Sequence, residues 1–377
     1  MGWAEGPTKR FDRLLRRVQS ENLDVGIISD PRNVYYFTGF ATSPILFVPT
    51  YLMIFRDGSS KLITGVTDTA IAQRTFGGEV ESFANYDLNE RMLAYPDLAS
   101  ISIKKILGEY ARAIHKIGIE TWSAPQVLFE SLPRDSEISD LSELIQNFRM
   151  VKDEDEIQNI RRSCELNDLA YSVAKQNSNP GTTEVDIYGL AQLELARRVG
   201  SFQFFSGNFT SGDRTLDPMG SGEPTMRVMK NGETIVLDLW TTTNGYWADT
   251  CRTFVVGGRP SSEQLRVHRV LLEALKAGES MLRPGVKAAE VYRSISDSIA
   301  KAGWKKYFTH HGGHAVGLDA WERPFIIPGS NDVLAEGMVC AMEPGVYIPE
   351  VGGIRIENDY LIKSDGAESL SKFPLAL

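Results

Sequence analysis

No apolar run in this chain approaches the roughly 18 residues that a membrane-spanning helix needs, so no helical crossing of a bilayer is expected. Positive charge is also short: 40 Lys and Arg stand against 49 Asp and Glu, a net charge of -9. That balance argues against nucleic acid or an anionic membrane surface as the main partner. Cysteine is sparse. Cys164, Cys251 and Cys340 form no CxxC pair and cannot all be bridged, so reduced, buried thiols in a reducing compartment are expected. Residues 1–17 lack the apolar centre of a secretory signal. A cytoplasmic location is therefore expected, and Asn208-Phe209-Thr210 reads as a chance sequon.

What remains is an ordinary soluble composition, 42% hydrophobic and 24% charged over 377 residues, a length that suits two domains. Up to about residue 150, strand-like and helix-like stretches alternate. Residues 10–21 carry Phe11, Leu14, Leu15 and Val18 at helical spacing, 24–29 read as a buried strand, and 33–40 continue in a β-rich style. Asp57-Gly58 marks a hairpin between 51–55 and 61–63, and 99–116 is amphipathic before a short strand at 117–120. This is a small mixed α/β domain over 1–150. The charged stretch 149–156 opens a helix over about 153–176, ended by Asn179-Pro180-Gly181, and a second helix follows to about 198. Beyond Gly200, strands are expected at 201–205, 234–240, 247–256, 337–347 and 353–363, with helices at 262–282 and 288–302. Strands segregated from helices make 151–377 an α+β domain with a curved antiparallel sheet.

Only five histidines occur. His115 and His268 lie in helix-like surroundings and read as structural, while His310, His311 and His314 crowd into HHGGH. The glycines let backbone approach closely there, so that imidazoles can face one point. Four acids sit inside apolar strands: Asp238 in TIVLDLW, Asp249 in YWADT, Glu343 in VCAMEPG and Glu357 in GGIRIEN. A turn at Asn244-Gly245 would bring the two aspartates, eleven residues apart, across one hairpin. A cation between them would offset their repulsion. Four carboxylates and an imidazole suit hard or borderline divalent ions such as Mn, Co, Zn or Fe.

The motifs VLDLW, WADTCRTF, HHGGHAVGL, MEPGVY and GGIRIEN resemble those of the pita-bread metallopeptidases: methionine aminopeptidase, aminopeptidase P, prolidase and creatinase. The N-terminal NVYYFTGF resembles the small domain of the prolidase and Xaa-Pro peptidase branch. The resemblance implies a creatinase-like domain over 1–150 and a pita-bread catalytic domain over 151–377. It implies two divalent metals on Asp238, Asp249, His314, Glu343 and Glu357, and a homodimer. It further implies amide hydrolysis by a hydroxide shared between the metals, with Glu343 shuttling a proton and His310 donating a hydrogen bond to the substrate carbonyl or oxyanion. His311 is left as structural.

Three positions depart from the family pattern. Ser221 stands where the family carries a histidine about seventeen residues before the first ligand. Trp321 replaces the histidine of GL-x-x-HE, and Phe325 stands where prolidases place an arginine, with Arg323 nearby. Ser221, Trp321, Arg323 and Arg355 are expected on the substrate side. A dipeptide or another small molecule is the expected substrate, and an indole suits a proline ring or a cationic group. The lost histidines predict weak cleavage of proline dipeptides. They leave open an alternative, a hydrolase or lyase acting on a small cyclic, methylated or guanidino compound. A non-catalytic binding protein is disfavoured because all five ligand candidates remain.

Overall fold

The computed structural model describes residues 5–41, 48–84, 95–109, 114–218, 220 and 222–377. They divide into two compact units, Met1–Phe148 and Arg149–Leu377.

The first unit is built on a mixed six-stranded sheet. Its spatial order is Glu79–Phe83, Ser60–Gly65, Tyr51–Phe55, Val25–Ile28, Lys116–Ile119, Glu137–Asp140. The hairpin expected at Asp57-Gly58 forms, with Tyr51 opposite Ile63. Ile27, Met53 and Ile117 pack against Ile103 and Leu107 of the helix Tyr95–Glu109, which starts and ends earlier than the expected 99–116. One reading is corrected. Residues 33–40 do not continue as strand, because Pro31–Thr38 is a helix. The Asp30 carboxylate accepts from Arg32 N at 2.8 Å, Pro31 fits the first turn, and Gly39 (φ 71°) closes the end. These end signals outweigh the β-preference of Val34-Tyr35-Tyr36-Phe37.

The second unit segregates helices from strands, as expected. The helix Glu154–Asn177 begins where Glu156 accepts from Asp153 N at 2.8 Å. The helix Glu184–Val199 begins with a reciprocal Thr183–Asp186 cap and stops at Gly200 (φ 74°). Tyr171, Ala174, Ile187 and Leu195 from this pair pack against Leu237, Leu239 and Phe254. They cover one face of an antiparallel sheet of Phe205–Ser211, Thr234–Thr243 and Tyr246–Val255. The strand expected at 201–205 thus begins where it was expected to end. A second helix pair, Ser262–Glu279 and Ala288–Lys301, lays Leu271, Leu275, Ile295 and Ile299 against Cys340, Met342 and Ile362. That face belongs to a five-stranded sheet ordered Glu322–Ile326, Gly313–Ala315, Val339–Met342, Asn358–Lys363, Gly366–Ser369. Each fully buried Leu or Ile there contributes about 1.5–3 kcal/mol.

The single strands expected over 337–347 and 353–363 each break in two. Pro344 has no N–H for a ladder, so one strand stops at Met342 and another starts at Gly345. Glu357 leaves its own strand to form an isolated bridge with Cys251. Both breaks fall at candidate ligands. No helix among the described residues is long and apolar enough to cross a membrane.

Candidate metal centre

In Thr234–Thr243, Ile235, Leu237 and Leu239 face the helices, so the period of two sends Asp238 and Trp240 to the opposite side. The turn at Asn244 (φ 50°) and Gly245 (φ 80°) is the tight hairpin its sequence suggests. The register pairs Asp238 with Cys251 and Trp240 with Asp249. The two aspartates are therefore diagonal neighbours on one face rather than directly opposed. His314 arrives on Gly313–Ala315, beside Val339–Met342. Gly313 (φ 143°) is required for that approach, because a Cβ there would lie 2.0 Å from Ala341 O. His314 Nδ1 lies 3.1 Å from Ala315 O and donates to it. That leaves Nε2 facing Asp249 Oδ2 at 3.5 Å and Glu343 Oε1 at 3.6 Å, the usual posture of a ligating histidine.

Asp238, Asp249, His314, Glu343 and Glu357 are all buried and line one cavity of about 210 Å³, with His310, His311, Trp321 and Arg355. Donor atoms of Asp249, His314 and Glu357 lie within 4.8 Å of one another, as do those of His310, His311 and Glu343. Asp238 Oδ1, Asp249 Oδ1 and Glu357 Oε2 are buried with no hydrogen-bond partner. Buried oxygens left so are costly. Burial pushes the Asp249 and Glu357 carboxyls well above the usual range, and the neighbouring carboxylates push them further. Glu343 behaves oppositely: burial works against its charge, but the His311 hydrogen bond and three nearby imidazoles hold it low. Unpartnered oxygens sharing one cavity with an imidazole fit divalent cations.

Arg355 heads a directed chain of hydrogen bonds. Its guanidinium can only donate. It donates to Asp238 Oδ2 through Nη2 and to the Tyr347 hydroxyl through Nη1, at 3.4 Å. The hydroxyl then donates to His310 Nε2 at 2.8 Å, and His310 Nδ1–H donates to His311 O at 2.8 Å. Burial lowers the His310 pKa to about 4, so this ring is neutral. Both of its nitrogens are engaged within the protein, and the ring lines the cavity. Arg355, expected on the substrate side, is buried at the cavity wall and tied to Asp238.

Sequence reasoning passed over Tyr347, although it lies within the motif MEPGVY. It also missed Asp359, whose Oδ2 accepts from Asp249 N at 3.0 Å, and Asn208, which lies 3.4 Å from Asp238 Oδ2. The only signal for Asp359 is an acid two residues after Glu357 in a buried strand.

The other expected substrate residues diverge. Trp321 reaches the cavity, 53% exposed, its ring 5.3 Å from those of both His311 and His314. Arg323 does not line the cavity: its guanidinium is paired with Asp332 at 2.5 Å. Ser221 lies outside the described residues. Next to Trp321, Glu322 is buried between Arg149 and Lys152, accepts from Asp319 N at 3.0 Å, and so fixes the segment 317–322. Burial opposes its charge, but Lys152 and Arg149 hold its pKa at about 2. This pair therefore stabilises the fold fully above the unfolded carboxyl value of 4.5, and the contribution disappears as pH falls toward 2. Glu322→Ala leaves the buried Lys152 without its carboxylate and Arg149 with Asp319 alone, and should cost about 3–5 kcal/mol in denaturant unfolding. The acid-induced loss of stability should be shallower in Glu322→Gln than in the unaltered protein.

Comparison with known proteins gives two family matches: metallopeptidase family M24 over residues 158–364 and the creatinase/prolidase N-terminal domain over residues 10–151. An Xaa-Pro dipeptidase of Pyrococcus furiosus is 30% identical, the alignment covering 97% of this chain and 98% of the relative. An Xaa-Pro dipeptidase of Lactobacillus helveticus is 29% identical, with 96% of each covered. The solved structure of a prolidase from Pyrococcus furiosus superposes with a TM-score of 0.80 at 29% identity, covering 95% of this chain and 99% of that one.

Proposed function

This chain belongs to metallopeptidase family M24 and is a metal-dependent hydrolase, and from that premise we propose that it is an Xaa-Pro dipeptidase working at the cavity of Asp238, Asp249, His314, Glu343 and Glu357. The observation that carries this reading is the set of buried, unpartnered oxygens of Asp238, Asp249 and Glu357 in one cavity with His314. Relatives named Xaa-Pro dipeptidase, matched along nearly their whole length, favour peptide cleavage over the cyclic, methylated or guanidino alternative. Two divalent ions, Mn, Co, Zn or Fe, are assigned to the five residues. Residues 1–150 are the creatinase-like domain, and 151–377 carry catalysis, in a homodimer.

Two such ions supply a nucleophilic water at neutral pH and polarise the scissile carbonyl. The chain's own groups do the rest. Glu343 takes a proton at a carboxylate oxygen and passes it to the departing nitrogen. Arg355 orients Asp238, and the Tyr347 hydroxyl holds His310 in one tautomer.

Protein loaded with Mn or Co should release proline from Ala-Pro and Met-Pro in catalytic amounts, in place of the weak cleavage anticipated from the missing histidines. If metal is bound and no proline appears from either dipeptide, the reading fails.

A further inference from the structure

The hairpin that carries Asp238 and Asp249 also carries two indoles, Trp240 and Trp247, and their nitrogens differ. Trp247 donates through Nε1 to Leu318 O at 3.2 Å. Trp240 Nε1 is buried and has no hydrogen-bond partner among the described residues. A buried indole N–H usually finds an acceptor, and leaving one unpaired costs about 1–3 kcal/mol. Alternation along Thr234–Thr243 puts Trp240 on the same side as Asp238, and its register partner is Asp249. The ring accordingly lines the cavity of the five candidate ligands. An indole nitrogen only donates, and it does so at any working pH. What this position lacks is a hydrogen-bond acceptor.

Other donors in the cavity wall are committed to the protein. Asn208 and Arg355 are tied to Asp238 Oδ2, and Arg355 also to the Tyr347 hydroxyl. Arg355 Nε has no partner either, but its guanidinium is already fixed at the Asp238 carboxylate. Arg323 is paired with Asp332 and does not line the cavity. An Xaa-Pro dipeptide brings two acceptors, its scissile carbonyl and its C-terminal carboxylate. The carbonyl is the group that divalent ions polarise. The carboxylate is left in need of a donor, and its charge makes it the stronger acceptor. With two divalent ions on the five ligands the acids of the wall are offset, so the arriving carboxylate meets no bare negative field.

We propose that Trp240 Nε1–H donates to the C-terminal carboxylate of the substrate and so selects dipeptides with a free carboxyl end over compounds that lack one. This assignment rests on the dipeptidase reading and adds to it a specificity-determining contact.

The test replaces Trp240 by 3-benzothienylalanine, which keeps the bicyclic shape and puts sulfur in place of the N–H, alongside Trp240→Phe. Reduced-amide analogues of Ala-Pro and of Ala-pyrrolidide, the second without a carboxylate, are bound calorimetrically to the metal-loaded full chain. A hydrogen bond to a charged group is worth about 10- to 100-fold in binding. Both replacements should lower the ratio of the two affinities by that factor. The ligand-free sulfur variant should melt no lower than the unaltered protein, because no bond inside the protein is lost, and its metal content should be unchanged. An affinity ratio that stays the same in both replacements overturns the assignment. A sulfur variant that melts lower or loses metal overturns it too, by giving the N–H a partner other than substrate. Cleavage of Ala-Pro itself separates the two readings. A protein that releases no proline, while its preference for the carboxylate analogue still depends on Trp240, sinks the dipeptidase reading alone. Release of proline with a preference independent of Trp240 sinks the carboxylate contact alone.

Discussion

Asp249→Asn should reduce turnover by at least about 10³-fold and, in the same protein, raise the stability of the metal-free form. The first effect follows from removing an anionic ligand: a bound cation contributes several kcal/mol to the transition state, and each 1.36 kcal/mol is tenfold. The second follows from the carboxyl's surroundings. Asp249 is buried beside Asp238, Glu343 and Asp359, which raises its pKa well above 3.8. A carboxyl raised on folding binds its proton more tightly in the folded than in the unfolded chain. Metal-free protein should therefore lose stability as pH rises above about 4. Asparagine carries no charge to desolvate, so its melting temperature in chelator should exceed that of the unaltered chain at pH 7 and converge with it near pH 4. Adding Mn or Co should reverse the order. Melting curves at two pH values, with and without metal, test this. A metal-free variant that melts lower at pH 7 would show that Asp249 is satisfied by something other than a cation.

Glu343→Gln should lower kcat by about 10²–10⁴-fold, the range for loss of a positioned proton carrier, with KM for Ala-Pro changed far less. An amide can keep the shape of the side chain and still accept from His311 Nδ1. It cannot take up a proton at neutral pH. His310→Ala should be milder, because the His310 ring points its nitrogens at Tyr347 and a backbone carbonyl rather than at the cavity centre. If the Glu343→Gln protein keeps kcat within tenfold of the unaltered one, Glu343 is a ligand only and the proton travels by another route. If His310→Ala proves the more damaging of the two, His310 acts on the substrate directly and its bonds to Tyr347 and His311 O do not hold during turnover.

The buried acids of the candidate site were legible because burial is expensive. An Asp in the middle of TIVLDLW breaks an otherwise unbroken apolar strand, and alternation alone says which side it must face. Family motifs then ordered the acids around His314. Two kinds of information were out of reach. The helix at Pro31–Thr38 hides behind residues that favour strands, and only its cap and stop signals give it away. Side-chain pairings such as Arg323 with Asp332, nine residues on, depend on which way one side chain turns at a single strand position. The neighbours of His310 belong here too: a tautomer is set by what lies next to a ring in space, and Tyr347 is 37 residues further along the chain.

The anchoring contacts of the candidate ligands are made by the protein itself: Asp359 on the Asp249 amide, Arg355 on Asp238, Ala315 O on His314. These contacts orient the carboxylates and the imidazole from the protein side. The fold around the site has large cores of its own, unlike small domains that fold only around their zinc. Oxygen and imidazole donors accept several divalent ions, so geometry and metal availability decide among them more than the raw affinity order. The occupant would follow the supply in the surrounding medium, and one polypeptide could serve as enzymes of different vigour in manganese-rich and zinc-rich conditions.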